Sequence, residues 1–436
     1  MKANIPETSK KRVVIVGAGF GGMALAQSLQ KGPYQVVLLD KNNYHQFQPL
    51  FYQVAMAGLE PSSIAFPLRK VFQSDQDIHI RITEVLSVNP EEKNVMTHLG
   101  RVDYDYLVLG MGAGTNYFGM DNIQRHAMPM KSVSEAIQLR NRILQNFESA
   151  LSTEDRALQS ALMSVVIVGG GPTGVEVAGT LAEMKQMILP KDYPELDFDL
   201  MQIYLFESSP AVLEVMSPDA SSKAKEYLER LGVQVRIGER IQDFDGQVAS
   251  TNLGDQIQTY NVVWAAGVLS NAIEGFPAEV YGRGRRMKVD EFNQVVGLPD
   301  IFALGDMALM ASEEFPNGHP QVAQPAIQQG KLLAKNLRAQ HEGKRMKPFR
   351  YRDLGSMATV GRNLAVVDLP FWKFQGTFAW YVWMFVHLMA ILGVKNKILI
   401  FINWLWSYVT YDQSLRLIIR PSLPPTTANE TPRTPK

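Results

Sequence analysis

Apolar and polar positions divide the chain into strand-sized and helix-sized blocks. Arg12 to Val16 is a short apolar run that reads as a buried strand, and it passes straight into Gly17-Ala18-Gly19-Phe20-Gly21-Gly22. Met23 to Lys31 has helical spacing, and Tyr34 to Leu39 is a second apolar strand ending at Asp40. Asn43 to Gln53 is rich in aromatic residues and has no simple period. Ile78 to Thr97 alternates as two short strands with a turn near Asn89-Pro90. Tyr104 to Gly114 is another strand-to-glycine block, expected in the same sheet, and Ser132 to Leu151 predicts a long helix with a polar face.

The opening block then returns. Val165-Val166-Ile167-Val168-Gly169 repeats Val13 to Gly17 residue for residue, and Gly170-Gly171-Pro172-Thr173-Gly174 follows. A helix is expected from Val175 to about Met187, then a looser segment with Pro190 and Pro194, then a strand from Gln202 to Phe206 that ends at Glu207. Ser221 to Gly232 predicts a helix with Leu228 and Leu231 inward. Residues 233 to 263 read as strands and turns leading into Asn261 to Gly267. Asp300 to Asp306 is one more strand that meets a glycine, Gly305, now followed by an aspartate.

The glycine spacing carries chemistry. Gly17, Gly19 and Gly22 form Gly-x-Gly-x-x-Gly, and Gly169, Gly171 and Gly174 form it again. The first glycine allows the sharp turn, the second lets a pyrophosphate approach the backbone, and the third lets helix and strand pack closely. The helix start then offers N–H groups and a positive dipole end to phosphate. An acidic residue about 20 positions on can bind a ribose hydroxyl, which is the place of Asp40 and, after a longer interval, of Glu207. A carboxylate there repels a 2′-phosphate, so the second site favours NADH over NADPH. The plain alternatives are a solvated strand-end aspartate and, for Asp306, a helix N-cap. The fold class expected is α/β, with two Rossmann-like dinucleotide-binding domains.

Composition narrows the field. Hydrophobic residues make up 46%, enough for full cores, and Lys plus Arg equals Asp plus Glu at 43 each, which gives no support to nucleic-acid binding. The sequence contains no cysteine, so disulfide exchange, Cys-ligated metal and thiol catalysis are excluded, and no metal site is expected. No secretory segment precedes the first strand, so the folded body is expected in the cytoplasm. Near the C-terminus, Phe374 to Val394 lacks Asp, Glu, Lys and Arg and holds Trp380, Tyr381, Trp383 and Phe385. As one helix it would span about 30 Å. Lys395-Asn396-Lys397 interrupts, and Ile398 to Tyr411 is a second uncharged run, with Arg416 and Arg420 beyond. Dense Trp and Tyr with basic edges suit the interface of a bilayer, as a monotopic helical hairpin. A transmembrane anchor and a homodimer interface are the other readings. The proline-rich tail from Pro421 is expected to be disordered.

Taken together, the turn at Gly17 to Gly22, Asn43-Tyr44-His45, Phe47-Gln48-Pro49, Gly169 to Glu176, Trp264-Ala265-Ala266-Gly267-Val268, Leu304-Gly305-Asp306 and Ala323-Gln324-Pro325-Ala326-Ile327-Gln328-Gln329-Gly330 resemble the type II NADH dehydrogenases, the single-subunit, non-pumping NADH:quinone oxidoreductases of the two-dinucleotide flavoprotein group. The last segment matches the family's Ala-Gln-x-Ala-x-Gln-x-Gly quinone motif at every fixed position, and Ala265 departs from a more usual Thr. The resemblance implies FAD on Gly17, Gly19, Gly22, Asp40, Gly114, Asp306 and Gln324. It implies NADH on Gly169, Gly171, Gly174, Glu176 and Glu207. It also implies catalytic roles for Glu176, Gln324 and Gln328. Pro325 fits the first turn of a helix running toward Ala339, and Gln324 and Gln328 can share one face of it. The competing reading of Glu176 is an ordinary first-turn glutamate, and that of the glutamines a polar helix start. Implied partners are a membrane quinone, the lipid surface on the cytoplasmic face of the cell membrane, and a second copy of the chain. The domains expected are 1–120 and 291–370 for FAD, 121–290 for NADH, 371–420 for membrane anchoring and 421–436 as tail. The alternative activity is a flavin reductase serving a soluble electron carrier.

Overall fold

The computed structural model describes residues 3–410 and 415–419. Tyr411, Arg420 and the tail from Pro421 lie outside the described residues.

Two parallel five-stranded sheets organise the chain. In the first, Ile301–Ala303, Tyr106–Leu109, Lys11–Val16, Tyr34–Asp40 and Ile78–Ile82 lie side by side in that order, all parallel. Val13, Val14, Ile15, Val37 and Leu38 have no exposed surface. A parallel sheet covered on both faces needs apolar residues at every position, which explains the unbroken run in the sequence. Helix α1 (Phe20–Leu29) starts at Phe20 rather than at Met23, because the glycine turn itself winds into it.

The second sheet orders Met128–Pro129, Asn261–Trp264, Val165–Val168, Ile203–Glu207 and Gln234–Ile237. It repeats the first around its central strand. Gly17 N–H donates to the Leu39 carbonyl at 2.8 Å, and Gly169 N–H to Phe206 at 2.8 Å. On the other side, Gly110 N–H donates to Val16 and Ala265 N–H to Val168, again at 2.8 Å. Helix α2 (Pro172–Met187) leaves the second turn. An antiparallel ribbon, Ala113–Thr115 against Val268–Ser270, links the two units.

Helix α3 (Ala323–His341) crosses α1 so closely that a Cβ on Gly330 would stand 2.4 Å from the Gly21 carbonyl oxygen. Its first turn therefore reaches the first glycine turn. An antiparallel three-stranded sheet, Ser356–Gly361, Leu364–Asp368 and Lys373–Gln375, packs on α2, where a Cβ on Gly179 would lie 1.5 Å from the Val360 carbonyl oxygen.

Three expectations change. Ile78 to Thr97 forms three strands, not two: Ile78–Ile82 joins the first sheet, while Val85–Asn89 and Asn94–Thr97 belong to a small antiparallel sheet with Gly100–Asp103. The helix expected at Ser221 to Gly232 runs from Pro218 to Arg230, started by the Ser217 cap and Pro218, and Leu231 is only half-buried. The uncharged run from Phe374 to Val394 is not one bilayer-length helix. Phe374 and Gln375 are strand, Gly376 turns at φ +83, and helix α4 (Thr377–Ala390) has 14 residues. That is about 21 Å, short of the hydrocarbon thickness. After Gly393 at φ +80, helix α5 (Val394–Thr410) takes Lys395-Asn396-Lys397 into its first turn instead of breaking there. Among the described residues no helix is long and apolar enough to cross a membrane.

Candidate active site

The two glycine turns can be read atom by atom. In the first, Gly17 has φ +100 and a Cβ there would meet the Gly110 carbonyl oxygen at 2.4 Å, while one on Gly22 would meet Gly17 O at 1.9 Å. In the second, Gly169 has φ +109 with Ala265 O at 2.5 Å, and Gly174 faces Gly169 O at 1.9 Å. These four glycines are demanded by the fold itself. The middle ones are not. Gly19 would meet only Gly110 O at 3.9 Å, and Gly171 would meet nothing within 4 Å. Their backbone angles, φ −69 and φ −71 with extended ψ, suit any residue. What they keep open is space above the strand ends, at a helix N-terminus, where a pyrophosphate would lie. Both cradles thus fit a dinucleotide on their own geometry.

The acidic strand ends act alike. Asp40 accepts from Ala18 N–H and Asn42 N–H, both at 2.7 Å. Glu207 accepts from Gly170 N–H at 2.6 Å and Ser209 N–H at 2.7 Å. Each carboxylate clamps its glycine turn, so neither is merely solvated, and each has lone pairs left for ribose hydroxyls. Burial raises the Asp40 pKa against the pull of its two backbone donors. Replacing Glu207 with Gln keeps one acceptor and removes the charge. The expected result is roughly a tenfold gain in NADPH use relative to NADH, read from kcat/KM for each; an unchanged ratio counts against this role.

Asp306 stands at the turn after Ile301–Ala303, with Gly305 against Ala326 of α3 and Gly305 N–H donating to Gln329 Oε1 at 2.8 Å. Burial raises its pKa, opposed by Lys131 and Arg286. Among the described residues no hydrogen bond reaches its carboxylate, which suits a hydroxyl-bearing ligand in the first cradle. Gln329, buried to 1% exposure, ties α3 to this turn, and sequence reasoning passed over it. Gly114 lies in the linking ribbon opposite Leu269 rather than at the glycine turn. His45 comes from the aromatic segment and donates from Nδ1 to the Ala18 carbonyl at 2.7 Å, and burial lowers its pKa and keeps it neutral.

Gln324 is half-buried in the first turn of α3. Gln328 shares its face, but both ends of its amide are engaged: Nε2 donates to Arg352 O at 3.0 Å and Oε1 accepts from Arg352 N–H at 3.1 Å. Gln328 therefore anchors α3 to the following segment as it stands.

Glu176 projects from the start of α2 into the wall shared with the C-terminal sheet. It is 7% exposed, and burial raises its pKa well above its ordinary value despite a hydrogen bond from the Thr359 backbone. Burial disfavours its charged form, so it is not the solvated first-turn residue of the competing reading. Tyr52 lies next to it, with its own pKa pushed well up, first by burial and then by Glu176. Behind Tyr52 stand Trp383 of α4, at 6.2 Å between rings, and Trp404 of α5, whose Nε1 donates to Gln53 Oε1 at 2.7 Å. The nucleotide helix and the aromatic hairpin meet at this wall. Tyr52 had no periodic signal in the sequence.

Two glycine-turn cradles of dinucleotide-binding geometry stand on linked parallel sheets, and the sequence holds no cysteine for thiol chemistry. Residues 11–330 match the family model for pyridine nucleotide-disulphide oxidoreductases, and residues 354–410 match that of the NDH2 C-terminal domain. The chain is 33% identical to the type II NADH:quinone oxidoreductase Ndh of Mycobacterium tuberculosis, over 92% of this chain and 89% of that one. It is 27% identical to a probable mitochondrial NADH-ubiquinone oxidoreductase of Schizosaccharomyces pombe, over 93% and 83%. Its fold superposes on NDH2 from Plasmodium falciparum, solved with NADH, at TM-score 0.86 and 20% identity, over 94% of this chain and 100% of that one. The chain belongs to the type II NADH dehydrogenase family and is an oxidoreductase.

Proposed function

We propose that the protein oxidises NADH and reduces a membrane quinone, without pumping protons, at the cytoplasmic face of the cell membrane. FAD in the first cradle would take a hydride from NADH and pass two electrons on. The chain's own residues supply the rest. Gly171 and the α2 N-terminus hold the NADH pyrophosphate, and Glu207 holds its ribose. Gly19, Asp40 and Asp306 hold the FAD, and the α3 N-terminus with Gln324 faces the acceptor. The observation that carries this reading is the placement of Glu176: a buried carboxyl on the nucleotide helix beside Tyr52, which itself packs on Trp383 of the aromatic hairpin.

The hairpin supports a lipid surface. Phe378, Phe385 and Met389 on α4, and Ile402, Leu405, Trp406 and Val409 on α5, are all more than half exposed. An apolar face of this kind, with Lys395 at its edge, suits insertion into one leaflet. Replacing Phe385 and Trp406, exposed at 65% and 61%, with glutamate is expected to weaken liposome binding roughly 100-fold. Sedimentation with vesicles unchanged from the wild type would oppose the lipid assignment.

Steady-state NADH oxidation by the purified, flavin-loaded protein tests the whole reading, with a short-chain quinone in one series and soluble electron-carrier proteins in another. Turnover is expected only with the quinone. Turnover only with a protein carrier would establish the reductase alternative.

A further inference from the structure

With the pyrophosphate and ribose of NADH on the second cradle, its adenine base still needs a place. The strand order supplies one, on the reading of that cradle proposed above. The pyrophosphate belongs at Gly171, above the end of Val165–Val168, and the adenosine ribose at Glu207, the end of the next strand. Neighbouring strands lie about 4.8 Å apart. A dinucleotide laid across their ends therefore carries its base over the end of the following strand, Gln234–Ile237.

The chain leaves that strand through Gly238, at φ +71, where a Cβ would meet nothing within 4 Å. Gly238 N–H donates to the Ser209 carbonyl at 3.1 Å, and Glu239 N–H to the Glu207 carbonyl at 3.2 Å. The Glu239 backbone is thus fixed against the residue that clamps the second glycine turn. Ile237, 37% exposed, offers an apolar surface beside it. Glu239 itself is 5% exposed, and its Oε1 is buried with no hydrogen-bond partner among the described residues. Arg236 and Arg240 stand close in the chain, but both are exposed, and among the described residues no ion pair joins either to Glu239.

A buried acceptor without a donor is destabilising, and a ligand that brings the donor removes that cost. An ionised carboxylate can only accept. The adenosine half of NADH holds two kinds of donor: the ribose hydroxyls, for which Glu207 is placed, and the 6-amino group of adenine. We propose that Glu239 is the base-recognition residue of the NADH site, its Oε1 accepting a hydrogen bond from the adenine 6-amino group. A purine with a 6-oxo group instead sets acceptor against acceptor and leaves the carboxylate buried and unpaired. Such a site rejects the oxo base more strongly than an apolar pocket does.

Reduced nicotinamide hypoxanthine dinucleotide carries that oxo group and is otherwise NADH. Flavin reduction in the flavin-loaded protein is followed by rapid mixing with each nucleotide, and the ratio of the two second-order rate constants is the readout. The wild type is expected to favour NADH at least about tenfold. Glu239→Gln presents an amide that accepts from an amino group or donates to an oxo group, so the ratio is expected to fall to about two or less. A Glu239 that only supported its loop would shift both nucleotides alike and keep the ratio. Equal use of the two nucleotides by the wild type, or the wild-type ratio in Glu239→Gln, overturns the proposal. Should that variant fail to load flavin, Glu239→Asp replaces it. Its side chain is one methylene shorter and draws the oxygen back from the base, and an unchanged ratio there overturns the proposal too. A wild-type flavin that neither nucleotide reduces removes the parent reading, and this one with it.

Discussion

A Gly19→Val variant is expected to fold and to purify without FAD. Gly19 adopts φ −69 and ψ −169, open to any residue, and its added Cβ would meet only Gly110 O at 3.9 Å. Valine therefore costs the fold little, and the loss of chain entropy in the unfolded state partly offsets any strain. The branched side chain would instead occupy the space kept for a pyrophosphate, and flavin occupancy should fall at least about 100-fold. The far-ultraviolet circular dichroism spectrum checks the fold, and flavin absorbance checks the cradle. A yellow, fully loaded Gly19→Val protein would mean that the first turn is not the FAD site. Gly22→Ala makes the contrast: its Cβ, at 1.9 Å from Gly17 O, forces α1 off the strand and should destabilise the protein itself.

The same logic gives the second large effect. Gly171→Val should fold, load flavin, and bind NADH at least about 100-fold more weakly. Gly171 has φ −71, nothing within 4 Å of its missing Cβ, and Pro172 after it, which itself favours extended backbone before it. Titration of NADH against flavin reduction measures the change. An unchanged half-saturation concentration would place the nucleotide elsewhere.

Much of this was legible in the sequence, and the limits have physical causes. The repeated Val-Val-Ile-Val-Gly runs became the central strands of two sheets, because a doubly covered parallel strand tolerates only apolar residues. Asp40 and Glu207 came to their turns as the spacing implied. Spacing alone could not tell which glycines serve the fold and which face the ligand. That depends on Gly110 and Ala265, which reach the turns from neighbouring strands. The aromatic run from Phe374 looked long enough for a bilayer because charge was counted and backbone was not; Gly376 and Gly393 at positive φ cut it into a strand and two helices. Gln328 matched a quinone motif, and only the fold brings Arg352 to its amide.

In the proposed function the two halves of the reaction depend on different residues: Gly171 and Glu207 for the donor, and Gln324 and the hairpin for the acceptor. The most direct measurement is anaerobic and sequential. The flavin-loaded protein is reduced with one equivalent of NADH, then mixed with a short-chain quinone while flavin absorbance is followed. The account predicts rapid bleaching by NADH and full return of the oxidised flavin, with one quinol formed per NADH consumed. A flavin that NADH bleaches but no quinone restores would contradict it.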